Sequence, residues 1–182
     1  MCIAALAFSL TASGRLCADP ADWNAFSPKG EKVSIAFPGA PTSESKVNRS
    51  ALGDIHMTMY TSSADSTSYV LSVVDIPEDL RPLLKKDPES ALNGFAVGLV
   101  NGIATGVKGK VISQKQVKAA EHPAVEIEAT MFGGKGVLRC RALLTDDRMY
   151  LMLVMAPVDA DVSIETTSFF GSFKVDAALT EK

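Results

Sequence analysis

The tightest constraint on this chain lies in residues 123–157, where three successive stretches read as strands separated by short turns. Val125, Ile127, Ala129 and Met131 alternate with Glu126, Glu128 and Thr130, a period of two that gives a strand one dry face and one wet one. Gly133-Gly134 follows and supplies the positive φ of a two-residue hairpin turn. With the turn there, Glu128 falls opposite Arg139 and Glu126 opposite Arg141, while Ile127 meets Cys140 and Val125 meets Ala142. A slip of one residue would drive both glutamates onto the apolar face, so the pattern selects its own register. A second tight turn is predicted at Asp146-Asp147, after which Met149 to Met155 runs apolar on both faces. Such a strand needs cover on each side. A helix is predicted over the face of Tyr150, Met152 and Val154, and Cys140 is placed in the core beside Leu151 or Leu153 as a small buried hydrophobe.

The rest of the chain extends this hairpin. A short strand is predicted after Trp23, then further strands at 32–37, 68–76 and 110–117, with a hairpin over 43–61 that turns at Leu52-Gly53-Asp54. The connection 77–86 is charged and carries about one helical turn. Asp87-Pro88-Glu89 is a helix start, with a carboxylate cap, proline in the first turn and an acid at the positive end of the dipole. The helix it opens, 88–104, carries a stripe of Leu92, Phe95, Leu99 and Ile103. Gly94, Gly98 and Gly102 recur along the flank of that stripe, each costing about 1 kcal/mol against alanine. They read either as a groove for a ligand or partner helix, or as close packing of this helix on the sheet. A second helix follows Asp161 and ends near Phe170, with Gly171 as its stop. The expectation is an α+β fold, a mostly antiparallel sheet of about seven strands with two main helices packed on it, in a single domain over residues 19–182.

Residues 1–18 differ in composition. Positions 2–12 form an apolar run of the length of a secretory signal and too short to cross a bilayer, although no Lys or Arg precedes it. Cleavage after Ala18, with Leu16 and Ala18 before the cut, would start the mature chain at Asp19 and export it to the periplasm or beyond; cleavage after Gly14 is the alternative. Cys2 and Cys17 would leave with the signal, so Cys140 alone remains and no intramolecular disulfide forms. A net charge of −3 gives no basic stripe for nucleic acid. No span is expected in the mature chain.

The search for chemistry returns little. The two histidines, His56 and His122, have no second His or Cys at ligand spacing, so no metal site and no cofactor is expected. No elbow presents a serine. Gly133-Gly134-Lys135-Gly136 is flanked by strands where a phosphate loop needs a helix, and the Thr105 to Lys110 segment sits at the wrong helix pole for an anion. Glu126, Glu128, Arg139 and Arg141 make the one dense polar cluster that the sequence places in space, and it reads as a surface charge ladder.

Trp23, the segment Val33-Ser34-Ile35-Ala36-Phe37-Pro38-Gly39-Ala40-Pro41 and the ending Phe169-Phe170-Gly171-Ser172-Phe173-Lys174-Val175 resemble an uncharacterised family of small exported bacterial domains. Ala91 to Gly94, Val107 to Lys110, Glu121 to Ala124 and Asp147 to Leu151 fall between them in matching order, with Ala124 in a place that often holds glycine. The resemblance covers most of residues 23–175 and implies a PsbP-like α/β/α sandwich, a plan shared by proteins that mostly bind or assemble. It carries over no catalytic residue. The functional expectation is a non-enzymatic, exported binding or assembly module of the cell envelope, with an envelope protein as partner. The alternative is a domain that binds a small apolar molecule or lipid in a pocket between the 88–104 helix and the sheet, beside Gly94, Gly98 and Gly102. A third is a hydrolase using His122 with Cys140 or a serine.

Overall fold

The computed structural model describes residues 19–50, 53–145 and 148–175. The proposed signal 1–18 and the Asp146-Asp147 turn lie outside the described residues, as does Leu52 of the other predicted turn. Gly53 and Asp54 already belong to a strand, paired with Ser50 and Arg49. In chain order the elements are β1 (Asn24–Phe26), β2 (Val33–Phe37), β3 (Thr42–Ser50), β4 (Gly53–Ala64), β5 (Thr67–Asp75), α1 (Arg81–Lys86), α2 (Pro88–Gly106), β6 (Lys110–Ala119), β7 (His122–Met131), β8 (Gly136–Leu144), β9 (Arg148–Pro157), α3 (Ser163–Gly171) and β10 (Lys174–Val175).

Seven strands form one sheet in the order β3-β4-β5-β9-β8-β7-β6, and every neighbouring pair is antiparallel. The register between β7 and β8 is the one the charges select: Glu128 pairs with Arg139, Glu126 with Arg141 and Ile127 with Cys140. The turn differs from the two-residue expectation. The strands stop at Met131 and Gly136, leaving Phe132 to Lys135 as the loop, with φ of +53°, +68° and +91° at Phe132, Gly133 and Gly134. The cause is tertiary: the N–H groups of Phe132 and Gly133 donate to the carbonyls of Val107 and Lys108, just past α2, at 2.8 and 2.9 Å. One residue is gained on each side of the Gly-Gly pair, so the register survives.

α2 covers one face of the sheet. The Ser90 side chain and, at 3.1 Å, the Ser90 N–H hydrogen-bond the Asp87 cap and lower its carboxyl below the ordinary range. The buried row is Leu92, Ala96, Val100 and Ala104, packed with Val125, Ile127, Ala129, Leu138, Cys140 and Leu151. This corrects the predicted stripe, of which only Leu92 is fully buried. Phe95, Leu99 and Ile103 lie half-buried along its flank. Two alanines in the contacting row let the helix axis settle close to the sheet, and the bulkier residues fall to the side.

The opposite face carries Tyr69, Leu71, Tyr150, Met152 and Val154, and a helix is the cover expected over the last three. The face lies instead under α3 together with a second, three-stranded sheet, β1-β2-β10, whose Val33, Ile35 and Phe37 point into this core. Nine residues of α3 are too short to cover the face, and the small sheet supplies the rest. An aromatic cluster joins the layers: Phe169 packs against Phe37, Tyr69 and Trp23 with centroids 5.3, 5.4 and 6.2 Å away. No helix among the described residues is long and apolar enough to cross a membrane.

Candidate groove between α3 and strands β6 to β8

Along β7 and β8, the residues that alternate with the α2-facing core are Glu126, Glu128, Arg139 and Arg141, and they point toward α3. α3 does not reach across all of them. An open groove of about 390 Å³ remains, with the four charged side chains and Lys115 of β6 on one side and Ser163, Thr166, Thr167 and Phe170 of α3 on the other. The predicted ladder is therefore the floor of a groove and not a plain solvated surface. Its volume falls within the range of small-molecule and peptide sites.

The groove's polar groups are held in place. Arg141 donates from Nε at 3.0 Å, and from Nη2, to Oε1 of Glu126, and its guanidinium sits 4.9 Å from the ring centroid of Phe170. Arg139 lies 3.7 Å from Glu128, a looser pair. Just before α3, Asp161 Oδ1 accepts from both the N–H and the hydroxyl of Ser163, at 3.2 and 2.7 Å. These bonds, and Arg139 nearby, hold the Asp161 carboxyl below its ordinary range. Thr167 donates to the Ser163 carbonyl at 2.8 Å. Thr166, by contrast, is only 7% exposed and its hydroxyl has no hydrogen-bond partner. A buried hydroxyl left unpaired costs about 1–3 kcal/mol.

The lining fixes what can enter. Three cations and two carboxylates make a surface of both signs. A uniform polyanion would meet the glutamates, and a wholly apolar ligand would strip water from five charged groups. A partner that carries both an acid and a base can satisfy them together.

The other residues singled out by sequence lie elsewhere. Gly94, Gly98 and Gly102 are exposed on the solvent side of α2, and a Cβ added to any of them would meet nothing within 4 Å. They neither pack on the sheet nor border a pocket beneath the helix, because the row that touches the sheet is a different one and is closed. The void between α1, the start of α2 and Met149 holds about 30 Å³, roughly the room of a water molecule. A cleft of about 240 Å³ at the outer end of α2, by Glu89 and Pro123, does not involve the glycines. Cys140 is 1% exposed in the α2-side core, and burial pushes its thiol up to about 12. His122 precedes Ile127, the partner of Cys140, by five residues, about 17 Å along the strand. The structure does not bring the two together. His56 is exposed on β4. Among the described residues no three His, Cys, Asp or Glu side chains cluster as metal ligands would.

No family model matches the chain, and no curated protein does. Among solved structures it is similar to the solution structure of cyanobacterial PsbP (CyanoP) from Synechocystis sp. PCC 6803, with a TM-score of 0.58 at 11% identity over 84% of this chain and 91% of that one. The fold is PsbP-like. That likeness concerns architecture, the seven-stranded antiparallel sheet and its helices, and leaves function to the site itself.

Within this PsbP-like frame, sequence reasoning missed the α3 wall of the groove. Ser163, Thr166, Thr167 and Phe170 are spaced three or four apart and so share a helix face, which was readable. That this face would stand over β7 and β8 depends on packing between segments more than twenty residues apart, which no local pattern encodes.

Proposed function

We propose that this chain is a non-enzymatic, exported binding or assembly module of the cell envelope, and that it holds its partner in the groove between α3 and strands β6 to β8. The observation that carries the reading is the lining: paired charges of both signs beside an unpartnered, buried Thr166 hydroxyl. The fixed Arg141–Glu126 pair and the looser Arg139–Glu128 pair offer donors and acceptors to a charged segment of a protein, and such groups confer specificity more than raw affinity. The expected partner surface is an extended or helical segment carrying both acidic and basic side chains.

Native mass spectrometry of the chain purified from its own cells, together with its N-terminal residue, tests this. The expected result is a start at Asp19 and a bound protein that Arg139→Glu releases. An uncleaved chain would overturn export. Turnover of an envelope substrate that one polar substitution abolishes would overturn the binding role.

A further inference from the structure

The two edges of the seven-stranded sheet are built differently. At β6 the register with β7 breaks at a bulge between Val111 and Ser113, and every charge on the strand is a lysine, Lys110, Lys115 and Lys118. Bulges and like charges are the devices by which a sheet edge turns away further strands. β3, at the other edge, has neither. It pairs with β4 from Thr42 to Ser50 without a shift, contains no proline, and carries charges of both signs, with Arg49 near its end and Glu44 and Lys46 at its middle. Those two point to the same face and lie 3.1 Å apart. Val47 beside them is 52% exposed.

We infer that β3 pairs antiparallel with β3 of a second copy of this chain, about a two-fold axis through Ser45, joining the two sheets into one. In this register Glu44 stands opposite the partner's Lys46 and Lys46 opposite the partner's Glu44, so two ion pairs cross the junction. Ser43 stands opposite the partner's Val47 on the other face, which covers part of that exposed apolar side chain. The charges select this register over its neighbours. Two-fold pairing keeps each face of the sheet on its own side, so the axis must pass through a residue. Moving it by one places Glu44 opposite Glu44, or Lys46 opposite Lys46, and like charges directly opposite destabilise a ladder. The unpaired N–H and C=O groups along β3 supply the backbone bonds. The groove lies at the far end of the sheet, so self-pairing and the proposed binding site do not compete.

Sedimentation equilibrium of the purified chain over a range of concentrations, with circular dichroism as a check on folding, decides the matter. The wild type is expected to show a monomer–dimer equilibrium. Lys46→Glu sets glutamate opposite glutamate twice and is expected to weaken association about tenfold or more. The double exchange Glu44→Lys with Lys46→Glu restores both pairs and is expected to restore dimerisation. A monomer up to millimolar concentration, a dimer indifferent to Lys46→Glu, or a double variant that stays as weak as the single one would each overturn the inference.

Discussion

The two faces of one strand, β8, make the comparison that organises this molecule. Toward α2 it presents Leu138, Cys140, Ala142 and Leu144, all buried. Toward α3 it presents Val137, Arg139, Arg141 and Leu143, apolar at the ends and charged in the middle, where the groove opens. The alternation is the same on both sides, but only one side is closed along its length. Stability is concentrated where aliphatic rows meet α2 and where the aromatic cluster joins the small sheet. On the function proposed above, recognition falls to the stretch that α3 walls without closing.

The comparison can be attacked at several points. The largest effect is expected at the aromatic junction: Phe169→Ala removes a fully buried ring and should cost about 3–5 kcal/mol in chemical denaturation. A loss below 1 kcal/mol would mean that this layer is loosely packed. Ala96→Leu comes next. Ala96 has no exposed surface between α2 and the sheet, so the larger side chain should cost about 1–3 kcal/mol by overpacking. If it were tolerated, the interface between α2 and the sheet would be less tightly packed at Ala96 than its burial indicates. Gly98→Ala should work in the opposite direction, raising stability by about 0.5–1 kcal/mol, because its Cβ would enter open space in a helix interior.

Glu128→Gln should change stability by no more than about 0.5 kcal/mol, since its pairing with Arg139 is loose and partly exposed, while weakening partner binding. The pH profile should give the smallest signal. Asp87 and Asp161 both have folded values lowered by hydrogen bonds from Ser90 and Ser163. Their contribution is therefore full above the ordinary Asp value of about 4 and is lost as pH falls through the lowered folded values. Asp161→Asn should flatten the acid limb of a stability curve; an unchanged limb would show that the Asp161–Ser163 bonds carry none of it.

Legibility in the sequence followed the range of the interactions. The β7–β8 register was readable because Glu126, Glu128, Arg139 and Arg141 would be misplaced by any slip. The Asp87 cap and the exit of α2 were readable because they are local. The loop after Met131 was read two residues too short, since its conformation is set by carbonyls of Val107 and Lys108, far away in sequence. The contacting row of α2 was misread for another reason. No charged residue occurs from Ser90 to Val107, so polarity does not say which of two apolar rows faces the sheet. The charges on the groove floor were found, but as a ladder on an open surface. Its wall came from α3, whose docking is a property of the whole fold.

The most direct test of this division is a 1H–15N correlation titration of the chain with a short peptide bearing both lysine and glutamate. Amide shifts concentrated at Lys115, Glu126, Glu128, Arg139, Arg141 and Thr166 are the predicted result. Shifts concentrated along α2, or none at millimolar peptide, would contradict the assignment of recognition to the open half of the sheet.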